Sequence, residues 1–313
     1  MSKSIYSPEN VLKYSIEVVE NARFVKIDNS AIDKLATDLS KILEKPIDEF
    51  LGVKTTGKIE DDIQQVFLID SINFCFWAEK NKPKWLVEHP EGIKATGGWY
   101  SLTKVFERAL DEKVSILDVN YLLSLNEKEA EHLFKGQNNV DIPLLKERIK
   151  CLKDSAKVLK EKFSGKFINV LEKAQNDTLE LIEIVCRNFK YFREPFLKRA
   201  QILPKDLSYL NGLKIKNLDD LTAFADYRLP QVLRHYGVLI YNLKLSKKID
   251  NYVLIKANSR EETEIRAATV WACELLKKKL KTNAGDIDNG LWLLSQDLKS
   301  VMLPHHRTRT IFY

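Results

Sequence analysis

The chain has 313 residues, 44% of them hydrophobic and 30% charged, with 50 Lys and Arg against 44 Asp and Glu. That length admits one large or two modest domains, and the composition excludes a disordered or fibrous chain. The net charge of +6 suits an anionic ligand without demanding a polynucleotide.

The N-terminal MSKSIYSPEN has no apolar core of a signal peptide, and no stretch approaches the ~20 apolar residues that span a bilayer, so a cytoplasmic protein without a membrane partner is expected. Only 11 Gly and 9 Pro argue against a turn-dense all-β fold, while amphipathic segments at helical spacing recur. The expected fold is mainly α: one helical domain over residues 1–313, with at most minor β structure. Residues 31–51 carry Ile32, Leu35, Leu39 and Leu43 at steps of three and four, the stripe of a surface helix.

The run VFLIDSINFCFWA, residues 66–78, is apolar nearly all round and reads as an interior helix. On it Asp70, Asn73 and Trp77 fall at i, i+3 and i+7, so a carboxylate, an amide and an indole share one stripe suited to a ligand. Buried polar pairs more often satisfy neighbouring backbone groups. Further on, WLVEH and IKATGGW flank Pro90-Glu91-Gly92, a short hairpin signal. Gly97-Gly98 permits close backbone approach, and Trp99-Tyr100 offers a face for a flat heterocycle, although a turn before a core anchor has the same signature.

Ser124 and Glu127 form a capping box before Ala130, Leu133 and Phe134, with Gly136 placed to stop that helix. Over residues 141–163, Leu144, Leu145, Ile149, Leu152, Leu159 and Phe163 line one side and a solvated Lys/Glu face the other. In FREPFLKRAQILP, Pro195 sets a helix start, and Lys198-Arg199 follows as a phosphate-holding pair or a solvated face. In LTAFADYRLPQVLRHYGVLIY, Pro230 suits the first turn of a helix and LTAFA reads as the end of another, which puts Asp226 at their junction. A junction carboxylate serves as a cap or an arginine partner more often than as a catalyst, and Arg228 and Arg234 are near.

At the end, LPHHRTRTIFY offers His305, His306, Arg307 and Arg309 to an anion, then Ile311, Phe312 and Tyr313 as apolar anchors that would dock the segment. Cys75, Cys151, Cys186 and Cys273 form no C-x-x-C pair and are expected as reduced, buried thiols. With no His/Cys ligand set and no GxxxxGK[ST] motif, neither a metal nor an organic cofactor is expected.

Taken in order, VENARFVKI, DSINFCFW, ATGGWYSL, FREPFLKRAQIL, FADYRLPQVLRHYGVL, EIRAATVW and PHHRTRTIFY resemble the queuosine salvage protein family over nearly the whole chain. The resemblance implies a compact, mostly helical domain related in shape to DNA glycosylases. It implies hydrolysis of queuosine 5′-phosphate, a small-molecule substrate, to queuine and ribose 5-phosphate; a monomer with no obligatory nucleic acid is expected. It carries the family's catalytic aspartate onto Asp226 in FADYR. Asp70, Asn73, Phe74, Trp77 and Trp99 become candidates for the base pocket, with Asp288 and Trp292 of DIDNGLWLL as its further wall. For the phosphate, charge and motif position nominate Lys198, Arg199, His235, His306 and Arg307.

On that reading Asp226 stabilises the sugar cation or activates water. Asp70 and Asn73 bond the heterocycle edge, a ring of Phe74, Trp77 or Trp99 fixes its plane, and Asp70 or Asp288 meets queuosine's secondary ammonium. Two other classes stand beside it: a nonhydrolytic queuosine- or tRNA-binding module, and a DNA glycosylase-like repair enzyme. The repair enzyme calls for a broad basic stripe rather than a closed pocket with one phosphate site.

Overall fold

Helix starts are written into this chain as short polar side chains that accept the first free amides. Ser7 takes the amide of Asn10 ahead of α1 (Pro8–Glu20), with Pro8 in the first turn, where its missing N–H costs nothing. The computed structural model describes residues 5–44 and 52–313. After α1 come α2 (Ile32–Leu43), α3 (Ile59–Ser71), α4 (Gly98–Asp111), the short α5 (Val119–Ser124) and α6 (Glu127–Leu133), and α7 (Leu145–Lys162). Then follow α8 (Ile168–Lys173), α9 (Thr178–Asn188), α10 (Lys198–Leu207), α11 (Leu229–His235), α12 (Leu243–Asp250), α13 (Arg260–Leu280) and α14 (Ala284–Asp297). The fold is mainly α, as expected. Among the described residues the sheet is limited to β1 (Val25–Ile27) paired antiparallel with β2 (Leu239–Tyr241), Val25 opposite Tyr241.

Several local expectations shift. The helix expected over 31–51 is α2, burying Ile32, Leu35 and Leu39; residues 45–51 lie outside the described residues. The capping box before Ala130 belongs to Asn126 and Glu129, whose amides and side chains bond reciprocally at 3.0 and 2.9 Å. Ser124 instead bonds back to the Tyr121 carbonyl at the end of α5. Residues 66–78 are not one helix: α3 stops at Ser71. The hairpin around Pro90-Glu91-Gly92 reduces to one antiparallel bridge, Glu88 with Lys94. LTAFA is extended, because it runs between two apolar clusters and has side chains for both: Leu221, Phe224 and Ala225 face one, Ala223 the other.

The first cluster is built on α3, α7, α9 and α10, with Phe67 stacked on Phe167 at 4.0 Å and Phe189 and Phe192 against it. The second joins α2, α11, α13 and α14 through residues such as Leu35, Leu233, Ile265 and Leu291. Each fully buried Phe or Leu contributes about 1.5–3 kcal/mol, so both clusters hold the segment between them rigidly. All four cysteines are free and buried. No helix among the described residues is long and apolar enough to cross a membrane.

The C-terminal residues are tied down. Ile255 donates to the Arg307 carbonyl at 2.8 Å and Cys75 to that of Tyr313 at 2.9 Å. The Tyr313 ring, 2% exposed, lies under the Arg266 guanidinium at 4.3 Å. Arg266 in turn holds Glu194 at 2.8 Å.

Candidate active site

A cavity of about 460 Å³ opens beside the extended segment. Two helices wall it through residues one turn apart: Lys198, Ile202 and Asp206 of α10, and Asp288, Trp292 and Gln296 of α14. Asp226 comes from the segment between the clusters, Asn73 and Trp77 from the chain beyond α3, Trp99 from the start of α4, and His305 and Arg307 from the C-terminal strap.

The chain beyond α3 is irregular, and two buried arginines make that possible. Arg148, 0% exposed, donates to the carbonyls of Ile72, Phe74 and Cys75; Arg199, 1% exposed, donates to those of Ser71 and Tyr191. Carbonyls left by the end of the helix are thereby satisfied out of water. Phe74 is buried between the two guanidiniums, at 4.4 and 5.2 Å from its ring. The single helical stripe expected of Asp70, Asn73 and Trp77 therefore does not form. The Asn73 amide still reaches Asp70 Oδ1 at 3.4 Å, and Trp77 enters the cavity by way of the loop. Gly98 serves close approach as anticipated: a Cβ there would overlap the Phe76 ring.

Four carboxyl groups gather at the deep end. Asp226 Oδ1 accepts the amides of Arg228 and Leu229 at 2.6 and 3.1 Å, which opens α11. Burial raises its pKa, while the Lys198 ammonium and those two amides pull it down. Asp288 Oδ1 accepts the amide of Phe224 at 2.6 Å; burial and then the charge of Asp226 push it up to about 8. Of the two, Asp288 is pushed up further, because only Asp226 has two amides and takes the largest share of Lys198. Asp70 and Asp206 form a second pair within hydrogen-bonding reach, and burial raises both, Asp70 to about 7. Burial lowers Lys198, which faces Asp226, Asp70 and Asp288.

The mouth has the opposite sign. Arg228 bonds Gln231 at 2.9 Å, and Gln231 fixes the strap through the Leu303 carbonyl at 2.8 Å. Lys299 donates to the Thr96 carbonyl at 3.0 Å; burial and then the charges of Arg228 and Lys84 lower its pKa. Arg307 lies across Tyr252 and Trp77, 4.4 and 5.4 Å from their rings. His305 packs on Tyr227 at 4.6 Å and is held neutral by burial and by Arg228.

Of the residues expected from sequence, Asp226, Asn73, Trp77, Trp99, Asp288, Trp292, Lys198 and Arg307 line this cavity. Asp70 and Phe74 lie behind its wall. Arg199, His235 and His306, nominated for a phosphate, do not line it. Arg199 is spent on backbone carbonyls, and His235 is exposed at the end of α11. His306 is buried against Tyr313, its pKa lowered to about 3 by burial and the Arg266 charge. Its neighbour His305 takes the cavity position. Asp206, Arg228 and Lys299 were missed. Asp206 was legible as the third member of a four-residue spacing from Lys198, while the other two needed the fold.

The family model described as queuosine salvage protein matches residues 53–313. The chain is similar to the queuosine 5′-phosphate N-glycosylase/hydrolase of Sphaerobacter thermophilus, 35% identical over 97% of each chain. It is similar to the proteins of that name from Bos taurus, at 33%, and Mus musculus, at 31%, each over 95% of this chain and 96% of the relative. With the match extending across every element that builds the cavity, the chain belongs to the queuosine salvage protein family.

Proposed function

We propose that this protein hydrolyses the N-glycosidic bond of queuosine 5′-phosphate and releases queuine and ribose 5-phosphate. One observation carries the reading: a single cavity with carboxyl groups at its deep end and Arg228, Lys299 and Arg307 at its mouth. A nucleotide with a cationic base substituent and an anionic 5′-phosphate has the same polarity. The volume falls within the ~300–1,000 Å³ usual for small-molecule sites, and the names of the relatives point to the same substrate.

Breaking the bond develops positive charge on the ribose, which a carboxylate held in a dry site stabilises. Asp226 is the group for this step. Its Oδ1 is fixed by two amides, no protein donor among the described residues takes Oδ2, and Lys198 favours its ionised form. Water then attacks the sugar with Asp226 as acceptor of its proton. The base lies among Trp77, Trp99 and Trp292, with Asn73 and Asp288 on its polar edges and Asp70 and Phe74 backing the wall. The phosphate meets Arg307, Arg228 and Lys299 through charge-assisted bonds.

The same reading takes residues 1–313 as one domain, working as a cytoplasmic monomer that requires no nucleic acid. The test is product analysis after incubation with queuosine 5′-phosphate. Free queuine and ribose 5-phosphate in equal amounts support it, and a folded protein that releases neither refutes it.

A further inference from the structure

Asp206 is 1% exposed, lies along the cavity, and neither carboxyl oxygen has a protein hydrogen-bond donor among the described residues. Asp70, 0% exposed, leaves Oδ2 without a donor as well. Two buried carboxyls within reach of each other, with three of their four oxygens served by no donor among the described residues, fit one arrangement, in which they share a proton. Lys198, two turns before Asp206 on the same helix, sustains the remaining negative charge, and Arg199 adds to it at Asp70. Asp288 on α14 and Tyr209 just beyond α10 are the other titratable groups facing Asp206, and Asn73 faces Asp70. Asp288 and the partner carboxyl repel a second charge on Asp206, so the pair holds its shared proton well above the ordinary carboxylate range.

Asp226 serves the sugar; of the carboxyls that could serve the base, Asp288 is tied to the Phe224 amide, whereas Asp206 has no protein donor at either oxygen among the described residues. A 7-deazaguanine has no nitrogen at the position that purines offer to a proton, so the departing electron pair spreads over the remaining ring atoms. We propose that the Asp70–Asp206 pair is the acid of this reaction, with Asp206 delivering the shared proton to a heteroatom of the departing heterocycle. This rests on the hydrolase reading. In the step, the bond between ribose C1′ and the base nitrogen breaks with its electron pair on the base. The pair's proton then neutralises the base. Water forms the new C1′–O bond and gives a proton to Asp226, and that proton re-enters the Asp70–Asp206 pair through solvent when the products leave. The sum is substrate plus water to queuine plus ribose 5-phosphate.

The experiment compares two leaving groups. Queuosine 5′-phosphate needs its base neutralised; 4-nitrophenyl β-ribofuranoside 5-phosphate releases a stable anion and needs no acid. Asp206→Asn keeps a hydrogen bond to Asp70 but has no proton to give. The expected result is a kcat about 10²-fold or more lower on the nucleotide and within a few-fold of wild type on the nitrophenyl compound, whereas Asp226→Asn loses both. Equal losses of Asp206→Asn on the two substrates, or none on the nucleotide, overturn the proposal. Should that variant not fold, Asp70→Asn gives the same comparison. The wild-type kcat on the nucleotide must in any case fall as pH rises past the loss of the shared proton, and a profile level from pH 6 to 10 overturns the assignment. Wild-type protein inactive on queuosine 5′-phosphate would instead refute the hydrolase reading itself.

Discussion

The side-chain carboxyl of Asp288 accepts the backbone amide of Phe224 at 2.6 Å, two residues before Asp226 in the same extended segment. A residue of α14 thus fixes the backbone that presents the proposed catalytic carboxylate, and its own charge is suppressed by the carboxylate it positions. Preorganisation and charge division come from one contact.

If Asp226 carries the sugar step, Asp226→Asn should lose about 10²-fold or more in kcat while KM changes little. The amide oxygen can still accept from Arg228 and Leu229, so α11 keeps its start. Steady-state kinetics on queuosine 5′-phosphate decides this. Turnover close to wild type in the folded variant removes Asp226 from the mechanism.

Asp288 should make stability pH-dependent in a defined direction. Its folded pKa of about 8 lies above the ordinary 3.8, so the native protein keeps a proton that the unfolded chain releases. Its contribution is full below the unfolded value and is lost as pH rises toward the folded one. Asp288→Asn escapes that loss, so the Tm of the variant relative to wild type should climb between pH 5 and pH 9. A constant difference across that range would show that Asp288 is not held protonated.

At the mouth, Arg307→Ala should raise KM for queuosine 5′-phosphate about tenfold or more, the scale of one charge-assisted hydrogen bond, and leave queuosine without the phosphate nearly unaffected. The unphosphorylated nucleoside should be the poorer substrate of the wild type. Equal specificity constants for the two would show that no phosphate is recognised there.

The C-terminal strap contains no helix, yet it supplies His305 and Arg307 to the cavity and is anchored by Tyr313. Deleting residues 304–313 should therefore depress turnover at least tenfold while far-ultraviolet circular dichroism stays close to wild type. Tyr313→Ala alone should destabilise by about 3 kcal/mol, the scale for emptying a buried aromatic site. A truncated protein with full activity would show that the strap is dispensable.

The side chains of Glu194 and Arg266 are each 2% exposed and paired at 2.8 Å beneath the strap. Glu194→Gln should cost about 3–5 kcal/mol, because it leaves a buried guanidinium short of its counter-charge. Chemical denaturation measures it, and Glu194→Gln combined with Arg266→Met should recover part of the loss. A single variant as stable as wild type would mean that water or Glu262, at 3.5 Å, already balances the charge.

Much of this was written in the sequence by itself. Apolar spacing at three and four marks α2 and α7, a Pro in the first turn marks α11, and the ordered motifs mark the family, all because these signals are local or depend only on residue identity. Side-chain satisfaction across the fold decided the rest. α3 breaks at Ser71 although the apolar run continues, because Arg148 and Arg199, 77 and 128 positions from Ser71, take the carbonyls that helix would have used. Arg199 reads like a phosphate ligand beside Lys198, but adjacent residues on a helix point about 100° apart, so one meets the backbone and the other the cavity. The same divergence separates His305 from His306 along the strap. The chain names the residue types that the chemistry needs, and only packing decides which of two neighbours faces the ligand, since burial and charge are set by residues distant in sequence.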